Sequence, residues 1–283
     1  MKESYYDKTK IEEIIKSALQ EDVNTGDITT NLLIPEDKNA SAFMKAKESG
    51  VVAGMEIAEM VFKYLSPEIE WKPFVKDGDK VEKGTRIAEI KGSYRAILTG
   101  ERLALNFLQR MSGIASETAK YVELVKESKT EILDTRKTVP GLRILDKYAV
   151  KAGGGTNHRI GLYDMVMIKD NHIEVAGSIT NAVDNIRKEL PAGIKIEVET
   201  KNLEEVKEAL KAKADVIMLD NMDNATMAEA VKIVDGKAKT EASGNMTLER
   251  IKGVSETGVD YISIGALTHS VKALDIGQYI DNN

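Results

Sequence analysis

Between Asp134 and His172 seven basic residues (Arg136, Lys137, Arg143, Lys147, Lys151, Arg159 and Lys169) stand against four acidic ones (Asp134, Asp146, Asp164 and Asp170). Two of the chain's three histidines, His158 and His172, fall in the same stretch, and Gly153-Gly154-Gly155 precedes the first. The whole chain has a net charge of −6, so this stretch is a basic island. Arginine grips carboxylates and phosphates through paired N–H donors, and a glycine-interrupted cationic segment suits a small, multiply charged anion. Other readings stand beside this one. Lys147 and Lys151 also fit as solvated helix charges, and the triple glycine as a simple turn. His172 either holds its own loop or touches the ligand. A three-histidine metal site of His158, His172 and His269 can be drawn, but the spacings match no local metal motif.

Around and beyond the island run six short apolar segments that each end in a polar cluster: EILDTR, DMVMIKD, KIEVET, DVIMLDN, KTEASGN and YISIGAL. The last four begin at 195, 215, 239 and 261, which leaves room for one helix and two loops in each interval. LEEVKEALKAK and NATMAEAVKIV have the charged, amphipathic pattern of such helices. Repeated βα units imply a parallel sheet, closed or nearly closed into a barrel. The strand count stays open, because RILDKYAVKAGGG is either a helix or a cover for another element.

In such a barrel the chemistry sits at the C-terminal strand ends. Those ends carry Asp134, Arg136 and Lys137, then Lys169 and Asp170, Glu197 and Glu199, Asp220 and Asn221, Glu241, Ser243 and Gly244, and finally Gly265 and Ala266. Arg136, Lys137, Arg159 and Lys169 make a wall for carboxylates and phosphates. Glu199 and Asp220 suit ribose hydroxyls or magnesium, which prefers oxygen ligands. Small residues at Ser243-Gly244 and Gly265-Ala266 let backbone N–H groups approach a phosphate. Together these point to phosphorylated-sugar chemistry.

The N-terminal third reads differently. Apolar spacing predicts a helix over 10–20, and EDVNTGDITT after it reads as a turn capped by its aspartates and threonines, with Glu21, Asp22, Asp27, Thr29 and Thr30 as weaker metal-ligand candidates. A strand, a turn at Gly50 and a helix over 55–65 follow. Asp77-Gly78 supplies a hairpin, so the region is a small α+β domain. DGDKVEKGTRIAEIKG also resembles half of a biotinyl or lipoyl carrier, but its second half is missing and a structural hairpin is preferred. From Glu101 two apolar helical stripes flank a break at Ser112-Gly113, and the domain boundary is expected near that glycine.

Composition excludes several classes. The island carries +3, so the remainder carries −9, which argues against a nucleic-acid surface. There are no cysteines, hence no disulfide, thiolate nucleophile or cysteine-bound metal. MKESYYDKTK lacks the apolar core of a signal peptide and no run is long enough to span a membrane, so a cytoplasmic protein is expected.

Seven segments in order, LQEDVNTGDITT, GERLALNFLQRMSGIAS, DTRKTVPGLRILDKYAVKAGGGTNHRIGLYDMVMIKDNH, KIEVET, VIMLDNM, EASGN and VDYISIGALTHSVKALDI, resemble the quinolinate phosphoribosyltransferase family. The resemblance implies an N-terminal α/β sandwich over 1–112, an open seven-stranded TIM-like α/β barrel over 113–268, and a segment over 269–283 that returns to the first domain. It implies transfer of phosphoribose from 5-phosphoribosyl 1-pyrophosphate to quinolinate with loss of carbon dioxide, the step that makes nicotinate mononucleotide for NAD, with Mg2+ as cofactor. It implies a homodimer with shared sites, and leaves open a hexamer. By the same matching Arg102 reaches into the neighbouring subunit's site, and Arg136, His158, Arg159 and Lys169 hold the two carboxylates. Lys137, Lys169, Glu199, Asp220, Ser243, Gly244, Gly265 and His269 surround the sugar pyrophosphate and its magnesium. Of these, Lys137, Glu199 and Asp220 carry the catalysis, and the magnesium is held by Glu199 and Asp220 largely through the substrate. Lys272 stands where the family commonly has proline. The rival readings are a phosphoribosyltransferase for another aromatic acid and a catalytically silent anion-binding or carrier protein.

Overall fold

In the computed structural model, which describes residues 7–281, the chain forms two compact units. The first holds the described residues up to Ala119, Thr138–Gly154 and the segment from Leu267 onward; the second holds Lys120–Lys137 and Gly155–Ala266. In this division the chain passes from the first unit to the second after Ala119, and the segment Thr138–Gly154 joins the first unit. Part of MKESYYDKTK, read above for a signal peptide, lies outside the described residues.

In the first unit, helix α1 (Lys8–Asp22) starts where Asp7 accepts the N–H groups of Thr9 and Lys10, and it buries Ile11, Ile15 and Leu19 on one face. The capped turn expected after it goes on into a six-residue helix, α2 (Ile28–Leu33). Asp27 accepts the backbone N–H of Thr30 at 3.0 Å and its hydroxyl at 2.6 Å, enough to nucleate one turn.

Next come β1 (Asn39–Ala46), β2 (Gly50–Val51), α3 (Met55–Leu65), β3 (Glu70–Pro73), β4 (Lys80–Val81) and β5 (Arg86–Ser93). An antiparallel sheet forms in the order β12-β1-β5-β3, its outer strand β12 (Ile276–Ile280) coming from the far end of the chain. The hairpin expected at Asp77-Gly78 does not form. β3 pairs with β5 and β4 pairs with β2, which divides the carrier-like segment between two sheets. Asp77 instead accepts the N–H of Met55 at 3.0 Å and the hydroxyl of Tyr148 at 2.6 Å.

Helix α4 (Tyr94–Val125) runs for 32 residues straight through Ser112-Gly113. The pair is a contact point and not a break. The Ser112 hydroxyl accepts the N–H of Ala53 at 3.0 Å, and a Cβ at Gly113 would lie 2.3 Å from the carbonyl oxygen of Lys272. RILDKYAVKA is a helix, α5 (Arg143–Ala152), burying Leu145, Ala149 and Val150. Its Asp146 is fully buried and takes two bonds from Arg110, at 2.9 and 2.8 Å. Removing one partner of such a pair typically costs about 3–5 kcal/mol.

The second unit contains all six predicted strands: β6 (Glu131–Leu133), β7 (Val166–Ile168), β8 (Ile196–Thr200), β9 (Val216–Asp220), β10 (Lys239–Ser243) and β11 (Tyr261–Ser263). They form one parallel sheet in the order β6-β11-β10-β9-β8-β7. Between them lie α6 (Asp170–Ala176), α7 (Ile179–Glu189), α8 (Leu203–Lys211), α9 (Asn224–Val234) and α10 (Leu248–Ser255), with α11 (Ala266–His269) after the last strand. Asn202 and Asp223 cap α8 and α9 through the N–H groups of Glu205 and Thr226.

The seven-stranded barrel expected from the family is met by six strands and one residue. Thr156 makes a single parallel bridge to Leu133, in the place of a seventh strand. Further pairing stops because the buried Asp134 side chain takes the next groups: it accepts the His158 N–H at 2.9 Å and the Asn157 amide at 2.6 Å. The chain beyond is thereby released as the loop that holds Arg159.

Candidate active site

Residues two apart on a strand share a face, and residues in register on neighbouring strands point the same way. On β8, Glu197 and Glu199 therefore project together. Glu199 is in register with Met218, two before Asp220; Asp220 is in register with Ser243, two after Glu241. Five polar side chains from three strands thus line one face, the deeper Glu197 and Glu241 buried and Glu199, Asp220 and Ser243 half-buried at the strand ends.

Cations border this face. A pocket of about 750 Å³ is lined by Arg136, Arg159, Lys169 and His172 over apolar walls that include Met167 and Ile186. The Arg159 loop is tightly built, with Asp164 accepting the N–H groups of Ile160 at 2.8 Å and Gly161 at 2.9 Å. Arg159 itself donates from Nη1 to the carbonyl of Met165 at 3.0 Å. Burial, and then the charge of Arg136, lower its proton affinity from the usual arginine range, as two cations facing one pocket must. The Nε of Arg136 is buried with no acceptor. A buried donor left open in this way costs about 1–3 kcal/mol until something accepts from it. At the pocket's edge Lys169 Nζ lies 3.0 Å from Oε2 of Glu199.

Beneath the wall, His158 Nε2 lies 3.0 Å from Glu197 Oε2 and 3.3 Å from Glu241 Oε2. Its Nδ1 accepts the backbone N–H of Arg159 at 2.7 Å. An N–H pointed at Nδ1 needs a lone pair there, which puts the proton of the neutral ring on Nε2. Burial disfavours the charged ring, but the bonds and charges of Glu197 and Glu241 outweigh it and raise the histidine to about 10. Burial and the Glu241 charge push the Glu197 carboxyl up to about 7. The three groups have the donor types of a divalent-metal site. His158 thus uses Nδ1 for the Arg159 N–H and turns Nε2 to the two glutamates.

The second unit therefore holds Arg136, Lys137, His158, Arg159, Lys169, Glu199, Asp220, Ser243, Gly244 and Gly265. Lys137 is exposed after β6, and its N–H bonds to the Thr135 hydroxyl at 3.1 Å. Gly244 has φ +98°, and a Cβ there would lie 2.2 Å from Asn221 Oδ1, so only glycine fits beside the end of β10. Gly265 follows β11. Arg102 and His269 belong to the first unit, the former exposed on α4 and the latter exposed with its Nδ1 2.7 Å from the Ser270 hydroxyl.

Sequence reasoning gave no role in the site to the buried pair Glu197 and Glu241. The alternation of KIEVET was a usable signal, since it places Glu197 on the face of Glu199. The backbone bond that His172 makes had no such signal.

Comparison with known proteins gives the same family for residues 27–112 and 114–278. The profile of the quinolinate phosphoribosyl transferase N-terminal domain matches residues 27–112, and that of the C-terminal domain matches 114–278. A mitochondrial quinolinate phosphoribosyltransferase (decarboxylating) of Nicotiana tabacum is 47% identical over 290 residues, spanning 96% of this chain and 82% of its own. A chloroplastic nicotinate-nucleotide pyrophosphorylase (carboxylating) of Arabidopsis thaliana is 47% identical over 287 residues, spanning 95% and 82%. Among solved structures, the nicotinate-nucleotide pyrophosphorylase from Francisella tularensis superposes with a TM-score of 0.93 at 43% identity, covering 97% of each chain.

Proposed function

The chain belongs to the quinolinate phosphoribosyltransferase family, and from that premise we propose how its residues carry the family's reaction. The enzyme transfers phosphoribose from 5-phosphoribosyl 1-pyrophosphate to quinolinate with decarboxylation, giving nicotinate mononucleotide, pyrophosphate and carbon dioxide in NAD biosynthesis. The observation that carries the residue assignment is the buried, acceptor-less Nε of Arg136 in the wall of a cationic pocket. A carboxylate oxygen of quinolinate satisfies it, and Arg159 and Lys169 provide for the second carboxylate.

Quinolinate's ring nitrogen attacks the ribose C1 as the bond to pyrophosphate breaks. Positive charge develops on the sugar, and Glu199 and Asp220 at the ends of β8 and β9 stabilise it or orient the ribose hydroxyls. Lys137 balances charge on the departing pyrophosphate. Backbone N–H groups around Ser243, Gly244 and Gly265, together with His269, receive the phosphates. The new pyridinium then accepts the electron pair released when the 2-carboxylate leaves as carbon dioxide, and the ring carbon takes up a proton. The cations that hold that carboxylate must do so without stabilising its charge so well that it stays.

Two half-buried carboxylates on adjacent strands are hard oxygen donors, the right chemistry for Mg2+. Magnesium, bound mainly with the sugar pyrophosphate, would neutralise the leaving group. Glu199 and Asp220 are the residues that would hold it.

The same reading includes a homodimer in which the exposed Arg102 serves the site of the second subunit, with further assembly to a hexamer as an extension. It also includes a cytoplasmic setting, against which stand the mitochondrial and chloroplastic labels of the relatives. Competition between acceptors tests the assignment: quinolinate should be converted, and nicotinate, with one carboxylate for three cations, should turn over at least about tenfold less efficiently. Equal use of both would reassign the pocket to another aromatic acid.

A further inference from the structure

Both histidines of the pocket region make the same unusual bond. His158 Nδ1 accepts the backbone N–H of Arg159 at 2.7 Å, and His172 Nδ1 accepts the backbone N–H of Lys169 at 3.0 Å. In each case the donor belongs to one of the pocket's cations. We infer that His158 and His172 are positioning residues that fix the main chain of Arg159 and Lys169, and that His158 does not grip the substrate carboxylates itself.

The surroundings support this for each ring separately. His158 is buried, and its other nitrogen faces Glu197 and Glu241 at 3.0 and 3.3 Å, so Glu197 and Glu241 anchor the anchor. No ring nitrogen of His158 remains for a ligand, whereas the resemblance alone had assigned it to the carboxylate grip. His172 closes a reciprocal pair with Lys169, whose carbonyl accepts the His172 N–H at 2.9 Å. Lys169 is thereby held in an extended conformation, φ −115° and ψ 172°, as the first turn of α6 begins. Its flexible side chain then starts from a fixed Cα on the way to Glu199 and the pocket. Arg159 gains the same advantage, since its guanidinium is already spread against Met165. Pre-set cations lose less freedom when the anion arrives, so the clamps should act on binding more than on the chemical step.

This rests on the pocket being the quinolinate site, and the two parts can be separated. Asparagine places an acceptor oxygen near the position of Nδ1, and glutamine places its amide near Nε2. With the reaction assayed on the full-length enzyme, His172→Ala should raise KM for quinolinate about five- to tenfold with kcat nearly unchanged. His172→Asn should restore KM to within about twofold, and His172→Gln should not. Rescue by glutamine instead, or no loss in His172→Ala, would overturn the inference for His172. His158 is too buried for a safe substitution, so its ring is read directly: 15N NMR of the unmodified protein at a pH where each imidazole is neutral, which for His158 lies above about 10, should show both rings protonated on Nε2. A proton on Nδ1 of either ring would overturn the clamp there. The NMR result does not depend on turnover, so an unmodified protein that fails to convert quinolinate would sink the proposed function and leave the clamps to be judged by the spectra.

Discussion

Lys169 and Glu199 are joined at 3.0 Å across the neighbouring strands β7 and β8, so the last cation of one wall and the first carboxylate of the other already neutralise one another. The lysine end is half exposed and the glutamate end largely buried, at 47% and 13%, which lets the lysine be the partner that moves. Glu199→Gln should therefore split binding from catalysis. Freed of its partner, Lys169 should bind quinolinate as well as before or better by calorimetry. Turnover should fall by about 10²–10³ because a charge facing the developing cation is gone.

Arg136 has a different signature. Its unfilled Nε predicts that Arg136→Ala weakens quinolinate binding by about 2 kcal/mol or more. Arg136→Lys should recover little, since an ammonium cannot reproduce the planar pair of donors. Nicotinate affinity should change less than quinolinate affinity in both variants, a comparison that one competition titration gives.

The proposed dimer makes Arg102 testable in trans. Arg102→Ala and Arg136→Ala should each be nearly inactive alone. Mixed and reassembled, they should regain a fraction of the activity, because some hybrid sites receive both arginines. Verified hybrids without any recovery would count against a shared site.

Asp260 supplies a stability test remote from the pocket. It accepts the N–H of Thr240 at 3.0 Å and pairs with Lys239 at 2.8 Å and Lys129 at 3.4 Å. Burial opposes its ionisation, but the bonds from Lys239 and Thr240 prevail and hold its pKa below the ordinary value of 3.8. A depressed carboxyl contributes stability above its unfolded pKa and loses it as pH falls through the folded one. Asp260→Asn should thus cost about 1–3 kcal/mol near neutrality in urea unfolding, with the gap to the unmodified protein closing below about pH 4.

How much of this the sequence shows depends on the range of the interaction. All six strands of the second unit and the helix at Asn224–Val234 follow from local apolar patterns ended by polar residues, because burial of one face is written at short range. Strand partners are not local. β3 and β4 looked like the arms of a hairpin through Asp77-Gly78, yet they pair with β5 and β2. Gly113 looked like a helix break, and only the carbonyl of Lys272 shows why it is glycine within an unbroken helix. At the site, Arg136, Lys169, Glu199 and Asp220 are conspicuous as charges at strand ends. His158 was assigned to the anion because its burial between Glu197 and Glu241 depends on β8 and β10 flanking β9, a tertiary fact.

The central claim is that one pocket joins a dicarboxylate to phosphoribose and then expels one of the two carboxylates. The most direct measurement supplies the protein with magnesium, 5-phosphoribosyl 1-pyrophosphate and quinolinate labelled in its 2-carboxylate. Labelled carbon dioxide, nicotinate mononucleotide and pyrophosphate should then appear in equal amounts, with no label released when the sugar pyrophosphate is omitted. Absence of all three products, or release of label without the sugar, would contradict the account.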